Sequence, residues 1–129
     1  MKPDRSVGIL GWGAYVPAYR IRGEELARAW GRDWKSAAGI MVEEKSLPGM
    51  DEDTFTIALE ASLNAIRRAG ISPSEIRAVY VGTESKPYAV KPTSTMLVEA
   101  LDAGGRATTG ADFEFACKAG TEAMQAAIG

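Results

Sequence analysis

Short apolar runs alternate along this chain with segments of helical periodicity. Arg77–Gly82, RAVYVG, is an apolar run typical of an interior strand of a parallel sheet. Before it, Glu52–Ala69 has an apolar face at helical spacing, with acidic residues at its start and Arg67 and Arg68 at its end. That order of charges suits the helix dipole. The alternation predicts an α/β fold with a mostly parallel sheet and helices on both faces.

The other elements follow from the same signals. Ser6–Val16, SVGILGWGAYV, is apolar with three glycines, so we predict a buried strand with close backbone contacts. Gly23–Trp30 is predicted to be a helix ended by Gly31, and Gly39–Asp53 to be a loop, because glycine, proline and acidic residues are mixed there. The remaining predictions are a helix over Ser94–Ala103 capped by Thr93 or Ser94, a strand over Ala111–Ala116 and a helix over Lys118–Ile128.

Composition limits the function classes. The chain has 129 residues, enough for one domain with a core, and its formal charge of −2 argues against a nucleic-acid partner. No apolar stretch approaches the ~20 residues of a membrane span. The single cysteine cannot form an internal disulfide, which predicts a reducing, cytoplasmic location.

Cys117 follows the predicted strand that ends in DFEFA and precedes a predicted helix. A helix N-terminus stabilises a thiolate, and neighbouring backbone N–H groups can stabilise the oxyanion formed when a thioester is attacked. A small buried hydrophobic residue is the competing interpretation, because free cysteines are among the most buried residues. The spacing alone leaves both interpretations open.

Glu84 follows the apolar strand in VYVGTES. Carboxyl ends of parallel strands meet at one edge of a sheet, so Glu84 and Cys117 should face the same crevice. A nucleophile beside an acid or base is the usual arrangement for covalent catalysis. A surface carboxylate is the commoner fate of a glutamate. With no histidine and one cysteine, no metal-ligand cluster is predicted.

Four stretches carry a family resemblance: GWGAYVPAYRI, VEEKSLPGMDEDTFTIALEA, AVYVGTESKPYAVKPTST and FEFACKAGTEAMQAAIG. In these the chain resembles the N-terminal part of the archaeal type of hydroxymethylglutaryl-CoA synthase, in the thiolase superfamily. The resemblance implies a thiolase-like layered fold that is incomplete here, with residues 1–129 forming the N-terminal part of a half-domain. It also implies that Cys117 accepts an acetyl group from acetyl-CoA. Glu84 would then be the general acid/base in condensation with acetoacetyl-CoA, giving 3-hydroxy-3-methylglutaryl-CoA in the mevalonate pathway.

Further expectations come only from the resemblance. Asp33 and Trp34, in GRDWKSA, match a substrate-contacting pair; without the resemblance, Asp33 is expected to cap a turn and Trp34 to pack. No cofactor is implied beyond the CoA thioester substrates. The resemblance implies a homodimer, association with a thiolase and a small bridging protein, and a completing C-terminal segment or chain.

One departure stands out: the family's catalytic histidine lies beyond the last residue here, and the chain has no histidine. We therefore expect a truncated product, a proteolytic piece or one part of a split enzyme. Two alternatives remain. One is a condensing enzyme like ketoacyl synthase III or thiolase, although such enzymes use histidine with asparagine or a second cysteine instead of Glu84. The other is a non-catalytic half-fold that pairs with another chain.

Overall fold

The computed structural model describes residues 4–34 and 43–129. Contacts divide the chain into two compact units, Val16–Glu52 and the combination of Met1–Tyr15 with Asp53–Gly129. The larger unit contains both candidate residues Glu84 and Cys117. The elements are β1 (Tyr19–Arg22), α1 (Gly23–Ala29), β2 (Glu44–Leu47), α2 (Thr54–Ala69), β3 (Ala78–Gly82), α3 (Thr93–Ala100), β4 (Thr109–Phe113) and α4 (Ala119–Ile128).

The larger unit is built on a parallel pair of strands. β3 and β4 run side by side in register from Ala78 opposite Thr109 to Gly82 opposite Phe113. Helix α3 connects them, and α4 follows β4 and packs against both strands. The predicted order β3, α3, β4, α4 and the parallel pairing are therefore confirmed. The element bounds differ from the predicted ones by up to three residues, and both α3 and β4 begin and end earlier than predicted.

Local sequence signals set both ends of helix α2: a capping box at its start and a glycine at its end. The Asp53 side chain accepts a hydrogen bond from the Thr56 N–H at 2.9 Å, and the Thr56 hydroxyl accepts one from the Asp53 N–H at 2.8 Å. This reciprocal capping box starts the helix two residues later than predicted. Gly70 ends it in the left-handed region, with φ of 66°, as a glycine in that position commonly does.

The core lies between the strands, α2 and α3. Leu97 of α3 is only 2% exposed, and it clusters with Val81, Leu101 and Ala103. Several half-buried apolar residues surround this cluster: Phe55, Ala58, Leu59, Ile66, Ile76, Val79 and Val98. Four of these residues lie on α2 and pack against the cluster, and burial of this kind is the main source of stability.

The prediction of a buried strand over Ser6–Val16 is wrong. The segment is not assigned as a strand, and Ile9 and Leu10 are 78% and 71% exposed. A strand needs a partner for its backbone groups, and the sheets of the described residues contain only the pairs β1–β2 and β3–β4.

The close backbone contacts predicted for this segment are confirmed. A Cβ on Gly13 would lie 2.1 Å from the Ala61 carbonyl oxygen of α2, and one on Gly11 would lie 2.8 Å from the Ala65 carbonyl oxygen. The guanidinium of Arg68 lies 3.9 Å from the centre of the Trp12 ring, which adds a cation–π contact. Glycines therefore let this segment lie directly on helix α2.

The smaller unit pairs β1 with β2 in antiparallel register, from Tyr19 opposite Leu47 to Arg22 opposite Glu44. The prediction of a loop over Gly39–Asp53 is wrong for β2, because the polar sequence EKSL forms an edge strand whose side chains are largely exposed. The first four residues of that predicted loop lie outside the described residues. Helix α1 is followed by Gly31 at φ of 64°, as predicted.

Candidate active site

The carboxyl ends of β3 and β4 carry the two main candidate residues. The last ladder pair is Gly82 with Phe113, and the Thr83 N–H then donates to the Phe113 carbonyl at 3.0 Å. Two polar loops leave the sheet from this point. The first contains Glu84, and the second leads to Cys117.

The Glu84 side chain reaches from one loop to the other. Its Oε1 atom accepts a hydrogen bond from the backbone N–H of Ala116 at 2.5 Å. Ala116 immediately precedes Cys117, so the structure brings the carboxylate and the thiol-bearing turn together at one edge of the sheet. Both Glu84 and Cys117 are exposed, which excludes the interpretation of Cys117 as a buried hydrophobic residue.

Cys117 lies in a tight turn rather than in the helix itself. A single 3₁₀ turn spans Ala116–Lys118, and helix α4 begins at Ala119. The Lys118 N–H donates to the Phe115 carbonyl at 2.9 Å, which closes the turn. Ala116 has a φ of 46°, a left-handed conformation that is uncommon for a residue with a side chain.

Gly82 allows the start of α4 to lie against β3. A Cβ on Gly82 would be 2.3 Å from the Ala119 carbonyl oxygen, so no side chain fits between this strand and the helix. Ala119 follows the Cys117 turn directly and is buried. The contact therefore fixes the distance between the end of β3, where Glu84 follows, and the turn that carries the thiol.

Two further contacts hold the loop after β3. The Thr54 hydroxyl, at the start of α2, donates to the Ser85 carbonyl at 2.6 Å. Lys86 forms an ion pair with Glu114 on the neighbouring loop. Hydrogen bonding to Glu114 raises the pKa of Lys86 despite partial desolvation, with smaller electrostatic contributions from Glu114 itself, Asp112 and Glu84. Lys86 is thus a positive charge close to the Glu84 carboxylate.

Asp112 caps helix α3 from the adjacent strand. Its two carboxylate oxygens accept hydrogen bonds from the N–H groups of Thr93 at 2.6 Å and Ser94 at 2.9 Å. Burial acts to raise the pKa of Asp112, but these backbone donors outweigh it, and the pKa is lowered from 3.8. The prediction that Thr93 or Ser94 caps this helix is wrong, because a carboxylate that reaches two N–H groups occupies the helix N-terminus.

Replacing this cap should lower stability by an amount that depends on pH. We expect Asp112→Asn to lower the free energy of unfolding at pH 7 by about 2 kcal/mol, because an amide oxygen can accept from only one side and its NH₂ opposes the second N–H. The lowered pKa stabilises the fold above pH 3.8, and this contribution is lost as pH falls below that value. Urea unfolding at pH 7 and pH 3 measures both effects.

Asp4→Asn is the matched control, since it removes the same charge from an exposed position. The difference between Asp112→Asn and the parent chain should shrink at pH 3. A difference that is equally large at both pH values would contradict the cap.

Asp33 and Trp34 lie in the smaller unit, beyond the end of α1. Asp33 is exposed, and Trp34 is half-buried. The last three residues of the GRDWKSA match lie outside the described residues. A substrate-contacting role for this pair stays a prediction.

Three residues at the site had not been singled out from the sequence: Gly82, Asp112 and Ala116. Gly82 carried a signal, since a glycine at the end of an apolar strand often marks a close backbone approach. Neither Asp112 nor Ala116 carried one, because each depends on a partner distant in sequence.

In the ranges 4–34 and 43–129, no group of three or more acidic, cysteine or histidine side chains is arranged to hold a metal ion. The helices of these ranges include none with the length and apolarity needed to cross a membrane.

Comparison with solved structures defines the fold class. Xanthomonas campestris OleA matches 99% of the chain with a TM-score of 0.86 at 17% identity, and the priming β-ketosynthase of the R1128 polyketide pathway matches 98% with a TM-score of 0.82 at 24% identity. The chain covers 40% and 39% of those proteins. At this identity the likeness concerns the fold alone, and the fold is thiolase-like.

More similar proteins are hydroxymethylglutaryl-CoA synthases. The chain is 60% identical over all 129 residues to the enzyme of Thermococcus gammatolerans and 59% identical over 123 residues, 95% of the chain, to that of Methanothermobacter thermautotrophicus. Among solved structures, MvaS in complex with 3-hydroxy-3-methylglutaryl coenzyme A matches 99% of the chain and 30% of its own, at 33% identity and a TM-score of 0.81. No protein-family model matches the chain.

The chain therefore corresponds to an N-terminal portion of archaeal-type hydroxymethylglutaryl-CoA synthase, as the sequence resemblance predicted. It spans 35% of the length of the two curated relatives named here.

Proposed function

We propose that this chain supplies the acyl-accepting thiol and the acid/base carboxylate of a hydroxymethylglutaryl-CoA synthase. The observation that carries the proposal is the hydrogen bond from the Ala116 N–H to Glu84, which places a carboxylate beside the turn that bears Cys117. High identity to named synthases over the whole chain supports the choice of reaction. The condensing enzymes that are less than 25% identical to the chain support the fold and neither the chemistry nor the substrate.

In the first step, the Cys117 sulfur attacks the carbonyl carbon of acetyl-CoA. The bond from that carbon to the CoA sulfur breaks, and CoA leaves as a thiol after taking up the proton released by Cys117. The exposed position of Cys117 allows a large thioester to approach it.

In the second step, Glu84 takes a proton from the acetyl methyl group. The resulting carbanion attacks the ketone carbon of acetoacetyl-CoA, and the new alkoxide takes up a proton. Hydrolysis of the enzyme thioester then releases 3-hydroxy-3-methylglutaryl-CoA and restores the thiol. This scheme uses CoA thioesters as substrates and needs no further cofactor.

The remaining partners follow from the same proposal. Asp33 and Trp34 would contact substrate, and a completing C-terminal segment or chain would supply the histidine that this sequence lacks. A homodimer, an association with a thiolase through a small bridging protein, and a cytoplasmic location are parts of the proposal that come from the resemblance and from the single cysteine.

Incubation of the chain with acetyl-CoA tests the first step. We expect intact-mass and peptide mass spectrometry to find one acetyl group on Cys117, and none in a Cys117→Ser variant. Prior acetylation should also protect Cys117 from iodoacetamide. A thiol that gains no acetyl group and alkylates equally with and without acetyl-CoA would favour the non-catalytic half-fold instead.

A further inference from the structure

Glu84 makes a contact that proton transfer does not require. We propose that its carboxylate also positions the nucleophile: Oε1 holds the backbone N–H of Ala116 and thereby fixes the left-handed turn that presents Cys117. The proposal rests on the proposed function, in which Cys117 is the acyl-accepting thiol. It assigns Glu84 a role in acetylation, the step before any proton is taken from the acetyl group.

The turn needs such a restraint. Ala116 has a φ of 46°, where the Cβ crowds the carbonyl oxygen and where residues other than glycine are rarely found. Its N–H group donates to Glu84, from a loop 32 residues earlier in the chain. Strained backbone of this kind persists only where its surroundings hold it, and it is common at active sites.

The neighbouring contacts restrain the residues on either side of Ala116, and Glu84 restrains the Ala116 amide itself. On one side, the ladder between β3 and β4 ends with the hydrogen bond from Thr83 to Phe113. On the other side, the Lys118 N–H closes the turn onto Phe115, and α4 is seated against Gly82. Ala116 lies between these two fixed points, and its own amide is held by the carboxylate.

The two oxygens of the carboxylate allow both roles. Oε1 accepts from Ala116, whereas Oε2 makes no hydrogen bond within the described residues. Oε2 is therefore available to receive a proton while Oε1 keeps the turn in place. The negative charge of Glu84 interacts favourably with the ammonium group of Lys86 and contributes to its raised pKa.

Two substitutions separate the positioning role from the charge. Glu84→Gln and Glu84→Ala both remove the negative charge, but only glutamine keeps an oxygen that can accept from the Ala116 N–H. Any difference between the two variants therefore reports the hydrogen bond. Glu99→Ala is the control, since it removes an exposed carboxylate from α3.

Nuclear magnetic resonance of the ¹⁵N-labelled 129-residue chain detects the hydrogen bond from the Ala116 N–H to Glu84 through the Ala116 amide signal. We expect the Ala116 amide shift to follow the ionisation of Glu84 in the parent chain and not in Glu84→Gln. The Ala116 amide should exchange with solvent about tenfold faster in Glu84→Ala than in Glu84→Gln. Equal exchange in the two variants would overturn the proposal.

A rescue experiment tests the consequence for the thiol. Iodoacetamide should alkylate Cys117 at different rates in Glu84→Ala and Glu84→Gln, and the double variant Glu84→Ala/Ala116→Gly should return to the rate of Glu84→Gln, because glycine adopts a positive φ without strain. If Glu84→Ala fails to fold, the double variant decides: recovery of the fold supports the proposal, and no recovery overturns it.

Failure of the proposed function has a different signature. A parent chain whose Ala116 amide follows Glu84 but whose Cys117 takes no acetyl group would retain the positioning contact and lose the acyltransferase assignment.

Discussion

Glu84→Gln is expected to leave acetylation of Cys117 intact while it abolishes condensation. Glutamine can keep the hydrogen bond to the Ala116 N–H, so the turn that bears the thiol is preserved. It cannot take a proton from the acetyl methyl group, and loss of a general acid/base lowers rates by about 10²–10⁴-fold. The acetylated protein should therefore accumulate and fail to react with acetoacetyl-CoA.

A chimaera allows the measurement. The chain would replace the corresponding part of the Thermococcus gammatolerans synthase, to which it is 60% identical. Mass spectrometry follows the acetyl-enzyme, and formation of 3-hydroxy-3-methylglutaryl-CoA follows condensation. Glu99→Gln in the same chimaera is the control and should behave like the parent. Loss of the acetyl-enzyme in Glu84→Gln would count against the assigned role of Glu84.

Gly82→Ala should cause a large loss of stability in the larger unit. The new Cβ would lie 2.3 Å from the Ala119 carbonyl oxygen, and neither the strand nor the helix backbone can move without breaking hydrogen bonds. Overpacking against backbone costs about 3 kcal/mol, a large part of the roughly 5–15 kcal/mol by which folded domains are stable. Urea unfolding followed by circular dichroism measures the change.

Gly120→Ala is the control for this substitution. Gly120 is the next residue of α4, and a Cβ there would meet nothing within 4 Å. Alanine is a better helix former than glycine, so we expect Gly120→Ala to raise the free energy of unfolding by about 0.5–1 kcal/mol. If Gly82→Ala unfolded at the same urea concentration as Gly120→Ala, the close approach of strand and helix would be contradicted.

The sequence predicted those parts of the fold that depend on local signals. Helix α2 was predicted within two residues because its start and stop signals are local: Asp53 forms the capping box and Gly70 ends the helix at a positive φ. The apolar runs of β3 and β4 separated by a helix predicted a parallel pair, and that pairing places Glu84 and the Cys117 turn at one edge.

The failures concern contacts between distant residues. Ser6–Val16 has the composition of a strand, but composition cannot supply the partner that a strand needs. The reverse applies to β2, whose polar and largely exposed sequence EKSL lacks the composition of a buried strand but pairs with β1. Asp112 caps Thr93 from 19 residues away, so no reading of the residues next to the helix could have found it.

The loop that carries Glu84 is anchored on both sides, by Thr54 through Ser85 and by the Ala116 amide. The conformational entropy of ordering this loop is therefore lost once, during folding, and not again in each catalytic cycle. Under the proposed function, a substrate would therefore meet a carboxylate that is already oriented.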